Sequence, residues 1–378
     1  MKQGDKIMNK RQRLIAFVGI ALTLIFILSI RNGGFLGASR LKGDLQLTQI
    51  KDIPILIEKD TSHKKFLDGI IQYADGELYY FDYLGDKKWS VSLDIKHPII
   101  KTSQESVYLF DSSRNQLVRI DSKGKVAYRY TIEGEMKNFS LAEYDDAALI
   151  HEESENKSMQ VNLVEKNGRK RTGISLTEGF ILNMTPSIQN DIIAVGILDT
   201  TGKEATSHVL YYNLKGKLVN SVNLGTTIIY NMYFGKDDNL IVVSDTKVYG
   251  LSRERIKWEV EMDGLSTFEL IDKSSIVLYG KQNKSKGTSK GEDSILIIQG
   301  DGKLIEAESL SEQILGMDTF NRDMVAYSKR SIFILGNKGE IIYSQKYHKD
   351  IEKVYLYDSG YLVIRTKENV YFNKLEKK

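Results

Sequence analysis

Residues 116–132 read QLVRIDSKGKVAYRYTI, in which two runs of alternating apolar and polar residues flank the turn Asp121-Ser-Lys-Gly124-Lys125. Such alternation is typical of β-strands, and a short glycine turn between two such runs predicts a β-hairpin. The arrangement recurs at intervals of 37 to 48 residues between about Ile70 and Leu375. The further turns are Glu165-Lys-Asn-Gly168-Arg169, Asn213-Leu-Lys-Gly216-Lys217, Gln299-Gly-Asp-Gly302-Lys303 and Gly336-Asn-Lys-Gly339-Glu340.

Repeats of about 40 residues with four strands apiece are the signature of a β-propeller. We label the strands of a blade a to d, from the central axis outward. The apolar runs that follow the glycine turns are predicted to be d strands of successive blades. They are Lys88–Leu93, Val126–Ile132, Lys170–Leu176, Leu218–Leu224, Ile256–Met262, Leu304–Leu310 and Ile341–Tyr347. We therefore predict an all-β fold, a single propeller of four-stranded blades.

The number of blades depends on the two ends of the repeat region. Three strands, Lys353–Tyr357, Tyr361–Thr366 and Val370–Leu375, follow the last d strand, so the final blade lacks its outer strand. The segment Asp44–Glu58 (DLQLTQIKDIPILIE) contains two strand-like runs. We predict that one run completes the last blade and that the other is the innermost strand of the first. This closes eight blades and removes exposed sheet edges. Seven blades, with Asp44–Glu58 outside the ring, is the alternative.

The N-terminal region predicts a membrane anchor. Leu14–Ile30 runs for 17 residues without a charge, which makes roughly 25 Å of helix, close to the ~30 Å core of a bilayer. The preceding residues Lys2, Lys6, Lys10, Arg11 and Arg13 are opposed only by Asp5. The positive-inside rule then predicts a cytoplasmic N-terminus and an extracytoplasmic propeller in a single-pass protein of the cell membrane.

The predicted organisation is a basic cytoplasmic tail (1–13), a transmembrane anchor (14–30), a glycine-rich tether (31–44) and the propeller domain (45–378). A cleaved signal peptide is the first alternative, because Gly37-Ala38-Ser39 offers a small-residue cleavage site. A buried helix of a soluble domain is the second alternative.

Composition excludes several classes of function. Hydrophobic residues make up 41% and charged residues 27%, as in an ordinary folded chain. A net charge of +3 is too small to indicate nucleic-acid binding. The chain has no cysteine, which excludes disulfides, thiolate metal sites and cysteine nucleophiles. It contains no P-loop or G-x-G-x-x-G motif. We predict no catalytic, cofactor-binding or metal-binding residues.

Two kinds of residue resemble metal ligands but have simpler explanations. The histidines form no H-x-x-x-H pair and fall on different predicted blades: His63, His97, His151, His208 and His348. The clusters Glu143-Tyr-Asp145-Asp146 and Asp237-Asp238-Asn239 would suit calcium, yet both fall between strands a and b of a blade. Asp and Asn favour turns because they bond to their own backbone. We therefore interpret the clusters as turns.

The loops distinguish the two faces of the predicted disc. Successive strands are antiparallel, so the b–c and d–a connections share one face, here called the long-loop face. Three b–c loops are long, namely Glu152–Ser158, Thr200–Ser207 and Lys281–Glu292. Repeat proteins place their insertions on the binding face. The predicted binding residues in these loops are Lys281, Lys284, Lys286, Lys290, Glu152 and Glu153.

Two of the outer strands carry a tryptophan, in Lys88-Trp89-Ser-Val-Ser-Leu93 and Lys257-Trp258-Glu-Val-Glu-Met262. With the Gly-Lys turns, they make residues 67–375 resemble the quinoprotein-like (PQQ-like) propeller superfamily. An anchor followed by such repeats further resembles uncharacterised membrane-tethered propellers of low-GC Gram-positive bacteria. The resemblance implies the blade fold and a role in the cell envelope. It implies no cofactor, because two tryptophans and no cysteine leave no quinone site to map.

We expect this protein to be a binding or scaffolding module rather than an enzyme. The expected partner is a protein or an anionic envelope polymer met on the long-loop face. A sensor or an assembly subunit of a membrane complex is the alternative. A quinone-dependent or sugar-processing enzyme is a further alternative, which requires charged groups that converge in the central funnel.

Overall fold

A computed structural model describes residues 44–55, 61–142, 144–155, 157–176, 179–235, 239–272, 274–282 and 293–378. In these ranges the strands β1 to β31 form eight blades, each of four antiparallel strands, which confirms the predicted eight-bladed propeller. We number the blades in chain order. The single helical turn of the described chain is a 3₁₀ turn at Asp358–Gly360.

Blade one consists of β2 (Ser62–Phe66), β3 (Gly69–Ala74), β4 (Glu77–Asp82) and β5 (Lys87–Ser92). Blade two consists of β6 (Ile99–Thr102), β7 (Ser106–Asp111), β8 (Gln116–Asp121) and β9 (Val126–Thr131), and blade three of β10 (Glu135–Leu141), β11 (Ala147–Glu152), β12 (Met159–Val164) and β13 (Lys170–Leu176). Blade four consists of β14 (Phe180–Ser187), β15 (Ile192–Asp199), β16 (Thr206–Asn213) and β17 (Leu218–Gly225). Blade five consists of β18 (Ile229–Phe234), β19 (Leu240–Ser244), β20 (Lys247–Leu251) and the first part of β21 (Ile256–Ile271), and the second part of β21 forms blade six with β22 (Ser275–Gln282), β23 (Ser294–Ile298) and β24 (Leu304–Glu306). Blade seven consists of β25 (Gly316–Phe320), β26 (Asp323–Tyr327), β27 (Ser331–Leu335) and β28 (Ile341–Lys346). Blade eight consists of β29 (Ile351–Leu356), β30 (Tyr361–Thr366) and β31 (Asn369–Lys377) together with β1 (Leu45–Pro54).

The predicted glycine turns connect strands c and d. In blade two, the Asp121 N–H donates to the Lys125 carbonyl at 2.9 Å, and the Gly124 N–H donates to the Asp121 carbonyl at 3.0 Å. Gly124 has φ +78°, a conformation that strains any residue with a Cβ. The same pair of hydrogen bonds closes the turns of blades three, four, six and seven.

Each tryptophan packs on the glycine turn of the next blade. A Cβ on Gly124 would lie 2.8 Å from the Trp89 ring, and one on Gly302 would lie 2.6 Å from the Trp258 ring. Trp89 Nε1–H donates to the Ser122 carbonyl at 3.0 Å, and Trp258 Nε1–H donates to the Gly300 carbonyl at 2.9 Å. The glycine is therefore needed twice, for its turn and for the contact between blades.

The hydrophobic core lies between the blades. In the described ranges it divides into eight clusters of buried residues, one for each interface between neighbouring blades. An open row of eight blades has only seven interfaces, so the eighth cluster identifies a closed ring. That cluster joins Ile70 of blade one to Tyr355 and Val363 of blade eight.

One strand from the N-terminal segment completes the last blade, as predicted, but the segment does not also supply the innermost strand of blade one. β1 pairs with β31 as the d strand of blade eight, while β2 is the innermost strand of blade one. A bulge at Ile50 exchanges the two faces of β1, because Gln49 pairs with Asn373 and Lys51 pairs with Phe372. Before the bulge, Leu45 packs between blades seven and eight. After it, Ile53 and Ile55 pack between blades eight and one. The break in alternation made one strand read as two; residues 56–58 of the segment lie outside the described residues.

Two predicted outer strands differ from the structure. Leu304–Leu310 is shorter, because the chain leaves the sheet after β24 and Glu312 accepts a hydrogen bond from Ser331 Oγ at 2.7 Å. Ile256–Met262 is longer, because β21 stays extended and becomes strand a of blade six.

No helix within the described residues has the length and hydrophobicity needed to cross a bilayer. The predicted anchor Leu14–Ile30 lies outside those residues.

Ring closure can be tested by truncation. We expect a chain lacking residues 1–43 to fold, and one lacking residues 1–55 to aggregate or to lose much of its stability. The second deletion removes the buried residues Leu45 and Ile55, each worth about 1.5–3 kcal/mol, and exposes the edge of β31. Thermal unfolding followed by circular dichroism compares the two; equal midpoints would show that β1 is dispensable.

The double requirement at Gly124 can be tested against Gly225, which has the same φ of +78° but nothing within 4 Å of an added Cβ. We expect Gly225→Ala to destabilise by about 1–2 kcal/mol, the cost of a left-handed backbone. Gly124→Ala should cost about 1–3 kcal/mol more, because its methyl group overlaps Trp89. Urea unfolding measures both variants, and equal losses would mean that the tryptophan contact yields without strain.

Candidate functional site

The long b–c connections lie where the sequence predicts them, on the long-loop face. Those of blades three and four are residues 153–158, of which 156 is outside the described residues, and 200–205; in blade six β22 ends at Gln282, and residues 283–292 lie outside the described residues. Of the predicted binding lysines, Lys281 lies in β22, with its ammonium 3.9 Å from Asp293 Oδ1. Lys284, Lys286 and Lys290 lie outside the described residues.

The two predicted acidic residues are bonded to side chains of their own blade. Glu152 lies between the ammonium groups of Lys137 and Lys157, at 3.3 Å from each. Hydrogen bonds from these lysines, that of Lys137 first, lower the pKa of Glu152. Glu153 accepts a hydrogen bond from Ser158 Oγ at 3.1 Å. These acids belong to blade three and Lys281 to blade six, so the structure does not bring them together.

The acidic turn of blade three is a structural element. Asp145 is buried, and its carboxylate accepts hydrogen bonds from Ser103, from Ser106 Oγ at 2.9 Å and from Arg119 Nη2 at 3.0 Å. This network joins blades two and three. Asp237 and Asp238 lie outside the described residues. Within the ranges that the structure describes, no group of three or more His, Cys, Asp or Glu side chains forms a metal site.

The long-loop face carries an exposed apolar patch beside the channel mouth. It consists of Phe180, Ile228 and Tyr230, whose side chains are 63%, 46% and 49% exposed. Phe180 begins the inner strand of blade four and Tyr230 is in that of blade five, and Asn183 Nδ2–H joins these strands by donating to the Tyr230 carbonyl at 3.3 Å. Phe180 also pairs with Leu198, directly before the 200–205 loop. Two large aromatic side chains thus remain in solvent beside a long loop.

The inner strands bring polar and charged side chains to the axis of the ring. Lys65 of blade one lies 2.8 Å from Asp318 Oδ2 of blade seven. It also donates to the carbonyls of Thr319, at 3.0 Å, and Leu356, at 2.6 Å. These contacts reach past blade eight, which is geometrically feasible only near the axis. We call the space enclosed by the inner strands the channel.

A second ion pair lies in the same part of the channel. Lys353 Nζ is 3.9 Å from Glu269 Oε1 and 3.4 Å from the Met317 carbonyl. Burial, and then the charge of Asp318, raises the pKa of Glu269 to about 7, while Lys353, Lys65 and Lys64 oppose the shift. The charged groups that an enzyme would require do converge here, on blades one, six, seven and eight.

The opposite part of the channel is lined by amides. Asn138, Asn183 and Asn231 are at equivalent positions on the inner strands of blades three, four and five. Each follows a register shift against strand b. At two of them the amide oxygen accepts from the next backbone N–H, that of Phe139 at 2.8 Å and that of Met232 at 2.9 Å. Asparagine therefore satisfies a donor that the bulge leaves unpaired.

Sequence reasoning missed the channel, although one signal was present. Met136-Lys-Asn138-Phe139, Ile181-Leu-Asn183-Met184 and Ile229-Tyr-Asn231-Met232 share the pattern apolar-x-Asn-apolar. Read as a repeat, it would have placed three amides at the axis. The ionic part has no such signal, because Lys65 and Asp318 are 253 residues apart in the sequence.

The ionisation of Glu269 can be tested by its effect on stability. A raised pKa in the folded state means that the unfolded state releases this proton more easily, so stability falls as the pH rises from about 4.5 to about 7. We expect Glu269→Gln to match the wild type at pH 4.5 and to be more stable above pH 7. The gain should be modest, because the side chain is 37% exposed.

Urea unfolding midpoints between pH 4.5 and 8.5 provide the measurement for Glu269. The matched control is Glu105→Gln, which removes an exposed carboxylate from the a–b turn of blade two. A difference between Glu269→Gln and the wild type that does not change with pH would contradict the raised pKa.

Comparison with solved structures supports the fold. The propeller of Dos1 matches with a TM-score of 0.58 and 11% identity, over 88% of this chain and 96% of that one. BamB from Moraxella catarrhalis matches with a TM-score of 0.52 and 12% identity, over 87% of this chain and the whole of that one. At such low identity the likeness concerns the fold alone. Comparison with curated proteins finds no match.

A protein-family model covers most of the chain. It spans residues 46–371, from the strand that closes the ring to the last blade, and its description is a family of unknown function, DUF5711. The match therefore includes all eight blades, the channel and the long-loop face. This chain belongs to the DUF5711 family.

Proposed function

We propose that this protein is a binding module of the cell envelope, which engages a protein partner through its long-loop face. In this proposal the segment Leu14–Ile30 anchors the chain in the membrane, and the propeller lies outside the cytoplasm. The basic residues before that segment support this orientation. Because a propeller fold hosts many functions, the proposal has to rest on the surface and not on the fold.

The observation that carries the proposal is the apolar patch of Phe180, Ile228 and Tyr230. Large aromatic side chains are enriched at the energetic centre of protein interfaces. Here two of them, with a β-branched neighbour, are about half exposed or more, on adjoining inner strands. The loop at 200–205, which follows β15 beside Phe180, is exposed throughout and offers a polar rim. A protein partner fits this combination better than an anionic polymer, which would need an exposed cationic surface.

A sensor or an assembly subunit of a membrane complex remains compatible with the same surface, since both would bind a protein there. Catalysis in the channel is the second candidate function. It is favoured by Glu269, whose pKa of about 7 suits acid–base chemistry at neutral pH. We rank it second, because Lys65 and Asp318 are both held by backbone groups and no substrate class follows from their arrangement. We therefore propose no enzymatic activity.

The test is crosslinking of intact protoplasts with a membrane-impermeant reagent, using the full chain. We expect the wild type to form a discrete crosslinked product with a protein. The variant Phe180→Ser/Tyr230→Ser should lose most of it, because the exposed rings supply the central contacts. The matched control is Val126→Ser/Val219→Ser, which removes exposed apolar residues from the d strands of blades two and four.

The possible results separate location from binding. A product obtained only with a membrane-permeant reagent would contradict the extracytoplasmic location. Equal products from the patch variant and the control would show that the partner binds elsewhere on the domain. Circular dichroism of both variants confirms that each remains folded.

A further inference from the structure

The charges at the axis of the channel do not balance. Among the described residues, four lysines of the inner strands interact near the axis with one another or with two carboxylates. Lys65 pairs with Asp318 at 2.8 Å, and Lys353 lies 3.9 Å from Glu269. The two remaining lysines, Lys64 and Lys101, are on the adjoining inner strands β2 and β6.

Lys101 is fixed in place by groups without charge. Its ammonium donates to Asn138 Oδ1 at 3.0 Å and to the Phe139 carbonyl, and it lies 4.9 Å from the centre of the Phe139 ring. An ammonium group has three N–H donors, so one donor of Lys101 is left over. Burial, and then the charge of Lys64, lowers the pKa of Lys101 to about 8.

The groups that remain without a hydrogen-bond partner around this lysine pair are donors, although the charge of Lys64 also acts on Glu269. Lys64 is exposed in the channel, and its ammonium makes no hydrogen bond or ion pair with the described part of the chain. Asn138 uses its amide oxygen for Lys101 and for the Phe139 N–H, which leaves the two N–H groups of its amide. A ligand that only accepts hydrogen bonds and carries negative charge matches such a set.

We propose that the channel binds a small oxyanion, of the phosphate or carboxylate class, between Lys64 and Lys101 with the Asn138 amide as third donor. The anion takes up the charge that the two ion pairs leave unbalanced. It also replaces the water that Lys101 loses on burial. The attraction between the anion and the lysines is stronger in this partly buried site than in bulk water. This site is separate from the apolar patch, so it does not depend on the proposed protein partner.

The test is isothermal titration calorimetry of the purified full chain with inorganic phosphate and with succinate at low ionic strength. We expect at least one of them to bind. Lys64→Gln/Lys101→Gln should weaken that binding by about tenfold or more, since two charge-assisted contacts are lost. The matched control Lys123→Gln/Lys215→Gln removes two exposed lysines from the glycine turns of blades two and four and should change the affinity less than about twofold.

Two further variants keep the proposal testable if the double variant does not fold. Lys64→Gln alone changes an exposed side chain and should still weaken binding several-fold. Lys101→Arg retains a charge that does not titrate. With sulfate as the probe, whose charge is constant from pH 7 to 9, wild-type binding should weaken as Lys101 loses its proton, and Lys101→Arg should remove this pH dependence.

Each outcome decides for or against the site. Binding of phosphate but not succinate, or the reverse, assigns the ligand class within the proposal. The proposal is overturned if neither anion binds, or if Lys64→Gln and the double variant bind as tightly as the control. It is also overturned if Lys101→Arg shows the pH dependence of the wild type, because Lys101 would then not contact the anion.

Discussion

The pairing of β1 with β31 is the interaction on which the rest of the structure depends. A propeller has no single core; each interface between blades has its own, and the last one exists only if the ring closes. β1 closes it with one strand whose bulge at Ile50 exchanges its faces. Leu45 therefore serves the interface between blades seven and eight, and Ile55 that between blades eight and one. Without the bulge, residues 51–55 would present the opposite faces, and the second interface would lose its apolar contacts.

Closure also determines what happens at the axis. Eight inner strands converge there, and their backbone and side-chain polar groups need partners once they are withdrawn from water. Two solutions appear in different parts of the ring. In blades three and five, asparagines satisfy the backbone donors that the bulges free. In blades six to eight and one, ion pairs bind to backbone carbonyls as well as to each other, as Lys65 does with Asp318 and Leu356.

How much of this could be predicted from the sequence follows from the range of each interaction. The glycine turns involve five consecutive residues, so the pattern around Gly124 identified the blades and their d strands. The closing strand was predicted by counting strands, but the bulge at Ile50 made it read as two. The channel was missed because its contacts join residues such as Lys65 and Asp318, far apart in the chain. On the long-loop face, loop length indicated where the insertions lie. The exposure of Phe180 and Tyr230 could not be predicted, because both resemble ordinary strand residues and the geometry of the ring determines which strand residues are buried.

The position of β2 explains why closure and the proposed ligand site lie together. Lys64 and Lys65 are consecutive in this strand, so their side chains leave it in opposite directions. Lys65 turns back towards blades seven and eight and holds the closed ring. Lys64 leaves the strand on the other side, and its charge reaches Lys101 of blade two as well as Glu269. Had both lysines faced the carboxylates, Lys101 would have no second cation beside it. The excess of positive charge beside Asn138 thus follows from the alternation of one strand, and closure of the ring brings that charge to the axis.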